Sequence, residues 1–130
     1  MKLLVCGGRD YRDELTLFRA LDKIRLEHPV TMVIQGGAKG ADTLARTWAE
    51  RRLVPFAEYP ADWNRHGRGA GPIRNRQMLT DGKPDLVVAF PRQNGEWGSG
   101  TLNMIAQAQD AGVEVQFAAK PPLAAHNMSR

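Results

Sequence analysis

Two kinds of residue in this chain could do chemistry together: glycines that bring backbone N–H groups close to a ligand, and arginines that would meet its negative charge. Gly7 and Gly8 stand before Arg9 in "CGGRDY", Gly36 and Gly37 open "IQGGAKGADTLARTWAE", and Gly98, Ser99, Gly100 and Thr101 form "GSGT". Glycine permits positive φ and close approach of the backbone. The second stretch has the spacing neither of a P-loop nor of the Gly-x-Gly-x-x-Gly fingerprint. From Trp63 to Thr80 there is no acid, while Arg65, Arg68, Arg74 and Arg76 are all present. In "GPIRNRQM" Pro72 marks a helix start, which puts Arg74 and Asn75 in the first turn. A cation there opposes the helix dipole by about 0.3–1 kcal/mol when exposed, and a bound anion would offset that cost. A guanidinium fork can hold phosphate through two parallel hydrogen bonds. The alternative is a solvated arginine.

Each further candidate carries two readings. Arg9 is a ligand contact at a strand end or half of a solvated pair with Asp10. Lys39 meets a phosphate or is plain surface. Asp42 touches a sugar hydroxyl or serves as a carboxylate at a helix N-terminus. Asp62 and Trp63 open a long loop, where the indole stacks on a base or plugs the loop against the body. Ser99 and Thr101 hydroxyls cap a helix, bind phosphate, or do both. Three scattered histidines and the single cysteine give no metal-ligand pattern. Cys6 lies in an apparent buried strand, where an inert core thiol is expected.

Those residues need a scaffold, and the apolar pattern supplies one. "KLLVC" (2–6), "TMVIQ" (31–35), "VPFAEY" (54–59), "DLVVAF" (85–90) and "VEVQF" (113–117) read as strands, the third at an edge because of Pro55. Between them run four helical patterns. Leu15, Phe18, Leu21 and Ile24 form one face, after Asp13 as N-cap; Leu44, Ala45, Trp48 and Ala49 form the next. The third runs near 73–81, after the long loop "PADWNRHGRGAGP", and the fourth from Thr101 to Ala111. Five strands alternating with four helices predict an α/β fold, a Rossmann-like three-layer sandwich around a five-stranded, mainly parallel sheet. In such sheets ligands bind beyond the carboxyl ends of the strands, which is where all three glycine turns fall. Residues 1–118 are expected to form this domain and 119–130, with paired prolines and no periodicity, a flexible tail.

At 130 residues, with 42% hydrophobic and 25% charged residues, the chain reads as one ordinary globular domain. No apolar run approaches the length of a membrane span, and "MKLLVCGGRDY" lacks the pattern of a signal peptide, so a cytoplasmic setting without membrane partners is expected. The net charge of +4 suits anionic ligands from nucleotides to nucleic acid.

"CGGRDY", "IQGGAKGADTLARTWAE", "PADWNRHGRGAGPIRNRQM" and "GSGTLNMIAQAQDAGVEV" together resemble the YspA-type branch of the SLOG superfamily, over a span from about Leu3 to Phe117. The resemblance implies a Rossmann-like fold and a nucleotide or nucleotide-derived ligand. The superfamily's lonely-guy enzymes hydrolyse the N-glycosidic bond of nucleoside monophosphates. Their site pairs an arginine on the third helix with a Pro-Gly-Gly-x-Gly-Thr-x-x-Glu loop. Arg74 matches that arginine, and Gly98, Gly100 and Thr101 match the phosphate-binding part of the loop. The departure lies in "PRQNGEWGSG", which keeps Pro91 alone, and in Asn103 and Met104, which stand where the glutamate would fall. "RNR" (74–76) also resembles the DNA-processing branch, which binds single strands. The ranking is therefore a nucleotide-binding domain serving as a sensor, then a nucleoside-monophosphate N-glycosidase with Arg74 orienting phosphate, then a single-stranded nucleic-acid binder. No cofactor is expected, and a homo-oligomer is compatible with the fold.

Overall fold

A computed structural model describes residues 1–122. The elements run β1 (Lys2–Gly7), α1 (Glu14–Glu27), β2 (Met32–Gln35), α2 (Ala41–Arg51), β3 (Phe56–Glu58), α3 (Trp63–His66), a 3-10 turn (Gly67–Gly69), α4 (Ala70–Thr80), β4 (Leu86–Phe90), α5 (Ser99–Asp110) and β5 (Glu114–Phe117). The strands pair in parallel in the order β3-β2-β1-β4-β5, with Leu3 opposite both Val33 and Leu86. This is the Rossmann-like arrangement expected from the sequence, with β3 at an edge. Most of the expected tail, residues 123–130, lies outside the described residues.

The period of two along the central strands assigns side chains to two cores. Leu3, Val5, Val33, Leu86, Val88 and Phe90 face α1 and α2, where Leu17, Leu21, Ala45 and Trp48 meet them. Leu4, Cys6, Ile34, Val87 and Ala89 face α4 and α5, where Met78, Met104, Ile105 and Ala108 close the other layer. Each fully buried side chain of this size stabilises the fold by about 1.5–3 kcal/mol. Trp48 keeps its polar end satisfied by donating to Asp22 Oδ1 at 2.9 Å. No helix among the described residues is long and apolar enough to cross a membrane.

Three local expectations are corrected. The buried face of α1 is Leu17, Leu21 and Ile24, whereas Leu15 is 60% exposed. Steps of three residues fall about 60° short of a full revolution each time, so a 15-18-21-24 row winds around the helix, while 17-21-24 stays in one stripe. Phe18 is half-buried beneath the guanidinium groups of Arg51 and Arg52. The long loop after β3 is largely helical. Asp62 Oδ1 accepts from Arg65 N at 3.1 Å and starts α3, and α4 begins at Ala70, before the expected 73. Pro72 then sits inside the first turn, where its missing N–H is one no helix carbonyl would have accepted. Finally, α5 begins at Ser99, so "GSGT" is itself the helix N-terminus.

Candidate functional site

The connection from β1 leads toward β2, and the connection from β4 leads away toward β5. Adjacent strands whose connections diverge leave a crevice beyond their carboxyl ends. A cavity of about 750 Å³ lies there, within the range of small-ligand pockets.

The loop after β1 forms one wall. Gly7, Gly8, Arg9 and Asp10 all line the cavity. Gly7 and Gly8 are also required by packing: a Cβ on Gly7 would stand 2.7 Å from Ala41 Cβ, and one on Gly8 would stand 2.6 Å from Arg92 Cα. Asp10 Oδ1 accepts from Gln93 N, and Arg12 N donates to Gln93 Oε1, each at 3.0 Å, so this loop is tied to the one after β4. Cys6 lies beneath, and burial pushes its thiol up, which keeps it protonated.

The second glycine turn folds around a carboxylate and a guanidinium. Asp42, 7% exposed, accepts from Gly36 N and Ala38 N through Oδ2, both at 3.2 Å. Arg74 Nη1 donates to Gly36 O at 2.7 Å and to Tyr59 O at 3.4 Å, and its Nε donates to Asn75 Oδ1 at 3.0 Å. A Cβ on Gly36 would collide with Arg74 Nη1. Gly36 is glycine because a guanidinium rests on it. Gly36, Gly37 and the exposed Lys39 stand outside the cavity lining, whereas Ala38, Asp42 and Arg74 belong to it. Burial pushes the Asp42 carboxyl up to about 6, against the pull of the Ala38 N–H, Arg74, the Gly36 N–H and Arg9. Burial also lowers Arg74, opposed by Asp42.

Gly40, just before α2, has φ +79°, and a Cβ there would run into the Gly8 carbonyl oxygen. Gly40→Ala is expected to cost at least about 2 kcal/mol, read as a lower urea midpoint at unchanged slope.

On the far side, Asn75 links α4 to α5. It is 3% exposed, and its Nδ2 donates to Gly100 O at 3.2 Å and to Asn103 Oδ1 at 3.1 Å; Asn103 Oδ1 also accepts from Gln107 Nε2 at 2.8 Å. Neutral amides thus occupy the place where the resemblance implied a glutamate. The α5 N-terminus opens on the cavity through Gly98, Ser99, Gly100 and Thr101, and its N-cap, Gly98, supplies no side-chain acceptor for the free N–H groups. Thr101 is 6% exposed, lines the cavity, and its hydroxyl makes no hydrogen bond among the described residues.

Trp63 lines the cavity beside Arg9, while Asp62 stands outside it as the α3 cap. The basic stretch divides: Arg68 and Arg74 line the cavity, Arg65 and Arg76 do not. Trp97, in the loop that leads to "GSGT", stands outside the cavity lining; it packs edge-on against Phe117 at 5.6 Å and donates to Lys120 O at 3.0 Å. Sequence reading missed Arg92, which stands in the loop after β4 and lines the cavity; a cation on that loop, beside "GSGT", was the available signal. The lining thus carries Arg9, Arg68, Arg74 and Arg92 against the carboxylates of Asp10 and Asp42. No group of metal-ligating side chains occurs among the described residues.

Residues 1–66 match the YspA, cpYpsA-related SLOG family. The chain is also 36% identical over 127 residues to the Gene 61 protein of Mycobacterium phage D29, covering 92% of this chain and 98% of that protein.

Proposed function

The chain belongs to the YspA, cpYpsA-related SLOG family, which carries a nucleotide-related binding or processing role, and we propose that its cavity binds a phosphorylated nucleotide derivative as a sensor. The observation that carries the reading is the α5 N-terminus. Uncapped N–H groups, the hydroxyl of Thr101 with no hydrogen bond of its own among the described residues, and Arg92 beside Gly98 together offer donors and positive charge to a phosphate. Arg74 reaches the same cavity with Nη2 left over from its backbone bonds.

A thermal-shift panel of mononucleotides, nicotinamide dinucleotides and ADP-ribose tests this. At a hundred times its Kd, a ligand adds about 2.7 kcal/mol to stability, a rise of several degrees. Thr101→Val keeps the shape and removes the hydroxyl, and is expected to weaken binding roughly tenfold. No rise with any compound would sink the proposal. A steep fall of affinity with salt would favour a nucleic-acid ligand instead.

One observation favours a second reading, a nucleoside-monophosphate N-glycosidase. Asp42 is a cavity carboxyl held near neutrality beside Arg74, suited to proton transfer. Free base released from a nucleoside monophosphate, and lost in Asp42→Asn, supports it; no release across the common nucleotides rules it out.

A further inference from the structure

The segment between β3 and α4 is built without a core. No residue of α3 or of the 3-10 turn is buried, and Gly67 turns the chain there with φ +55°. Yet two of its side chains, Trp63 and Arg68, line the cavity. Trp63 is the one aromatic in that lining among the described residues. The residue is 48% exposed, its ring rests near Gly71, and the Arg9 guanidinium lies 5.2 Å from the ring centroid. An indole left half in water forfeits apolar burial that a ligand face would restore. Arg9, over the ring, and Arg68, in the same cavity lining, are donors only, whereas of the Asp10 carboxylate, on the same loop as Arg9, Oδ1 already accepts from Gln93 N.

Resting on the nucleotide reading, we propose that the ligand's base stacks on Trp63, and that Arg9 and Arg68 select a purine with an acceptor edge, guanine or hypoxanthine, over adenine. Guanine presents N7 and O6, two acceptors that fit a guanidinium fork, whereas adenine puts the N6 donor in place of O6. The segment's fold follows from this task. It holds a flat apolar face and a cation over the cavity, and the phosphate end is left to α5.

Calorimetric titration of GMP, IMP, AMP and ribose 5-phosphate into wild type, Trp63→Ala, Trp63→Phe and Arg68→Ala tests it. GMP and IMP are expected to bind about tenfold more tightly than AMP. Trp63→Ala should weaken GMP at least about tenfold, toward the level of ribose 5-phosphate, whose own affinity should not move. Trp63→Phe should retain most of the binding, and Arg68→Ala should narrow the gap between GMP and AMP. Because Trp63 belongs to neither core, an unchanged Tm of the free variants separates lost stacking from misfolding. GMP binding unaltered in Trp63→Ala, or ribose 5-phosphate equal to GMP in wild type, overturns the stacking. AMP as tight as GMP overturns the edge preference. Absence of binding by all four sinks the nucleotide reading and this inference with it, whereas ribose 5-phosphate binding with no gain from a base overturns the inference alone.

Discussion

Arg74→Ala is expected to lower the stability of the free protein by about 2–4 kcal/mol and to weaken ligand binding at least about a hundredfold. Two different jobs of one guanidinium account for the two numbers. The first is structural. Nη1 donates to the carbonyls of Gly36 and Tyr59, and so fastens α4 to the turns after β2 and β3. Removing it leaves the Gly36 carbonyl without its donor and the buried Asp42 carboxylate without the stronger of the two cations that act on it. The second is toward the ligand, since loss of a buried charged partner to phosphate typically costs 2–5 kcal/mol. Arg74→Lys distinguishes them. It keeps the charge but gathers its donors on one nitrogen, so it cannot reproduce the spread by which the guanidinium holds Gly36 O and Asn75 Oδ1 and still presents a free edge to a phosphate. Lysine is therefore expected to recover part of the stability and little of the affinity. Urea unfolding and calorimetry read the two quantities separately. Unchanged ligand stabilisation in Arg74→Ala would remove this residue from the binding site, and an unchanged urea midpoint would remove it from the clamp.

That double role explains what could and could not be seen in the chain itself. The strands were legible because β1 and β4 are buried on both faces, and burial on both faces demands continuous apolar runs such as "LLVC" and "LVVAF". The meeting of three glycine turns at one edge followed from the alternation of strands and helices. Individual reasons for glycine did not follow. Gly36 serves a guanidinium thirty-eight positions away, and Gly40 serves a carbonyl on the β1 loop, contacts that no local pattern encodes. Trp97 shows the same limit. It lies in the loop that leads to "GSGT", and only the return of β5 reveals that Phe117 covers it. The α3 turn was hidden for another reason. It has no buried face, so hydrophobic periodicity is silent, and only the Asp62 cap could have announced it.

Asp42 is expected to make both stability and ligand affinity fall as pH rises. Its carboxyl stands at about 6 in the folded protein, against 3.8 for the free side chain. Between those values the folded chain holds a proton that the unfolded chain releases. Stability therefore declines as pH climbs from about 4 to about 6, by up to about 3 kcal/mol, and is level again above that window. Asp42→Asn, which keeps an oxygen for the Gly36 and Ala38 N–H groups, should flatten this slope. The geometry also says where the proton resides. Oδ2 is engaged by those two N–H groups, so the hydroxyl of the neutral acid is Oδ1, free to face the cavity. An anionic ligand repels the charged carboxylate and accepts a hydrogen bond from the neutral one, so binding should raise the Asp42 pKa further and take up a proton near neutrality. A phosphate monoester titrates near 6 as well. Wild type and Asp42→Asn must therefore be compared on one ligand, so that the ligand's own titration cancels. From pH 5 to 7.5 the wild type should lose about tenfold more affinity than the variant, and calorimetry in buffers of different ionisation enthalpy should register more proton uptake in the wild type than in the variant. Coincident pH profiles would mean that Asp42 faces the turn alone and that the anion lies beyond its reach.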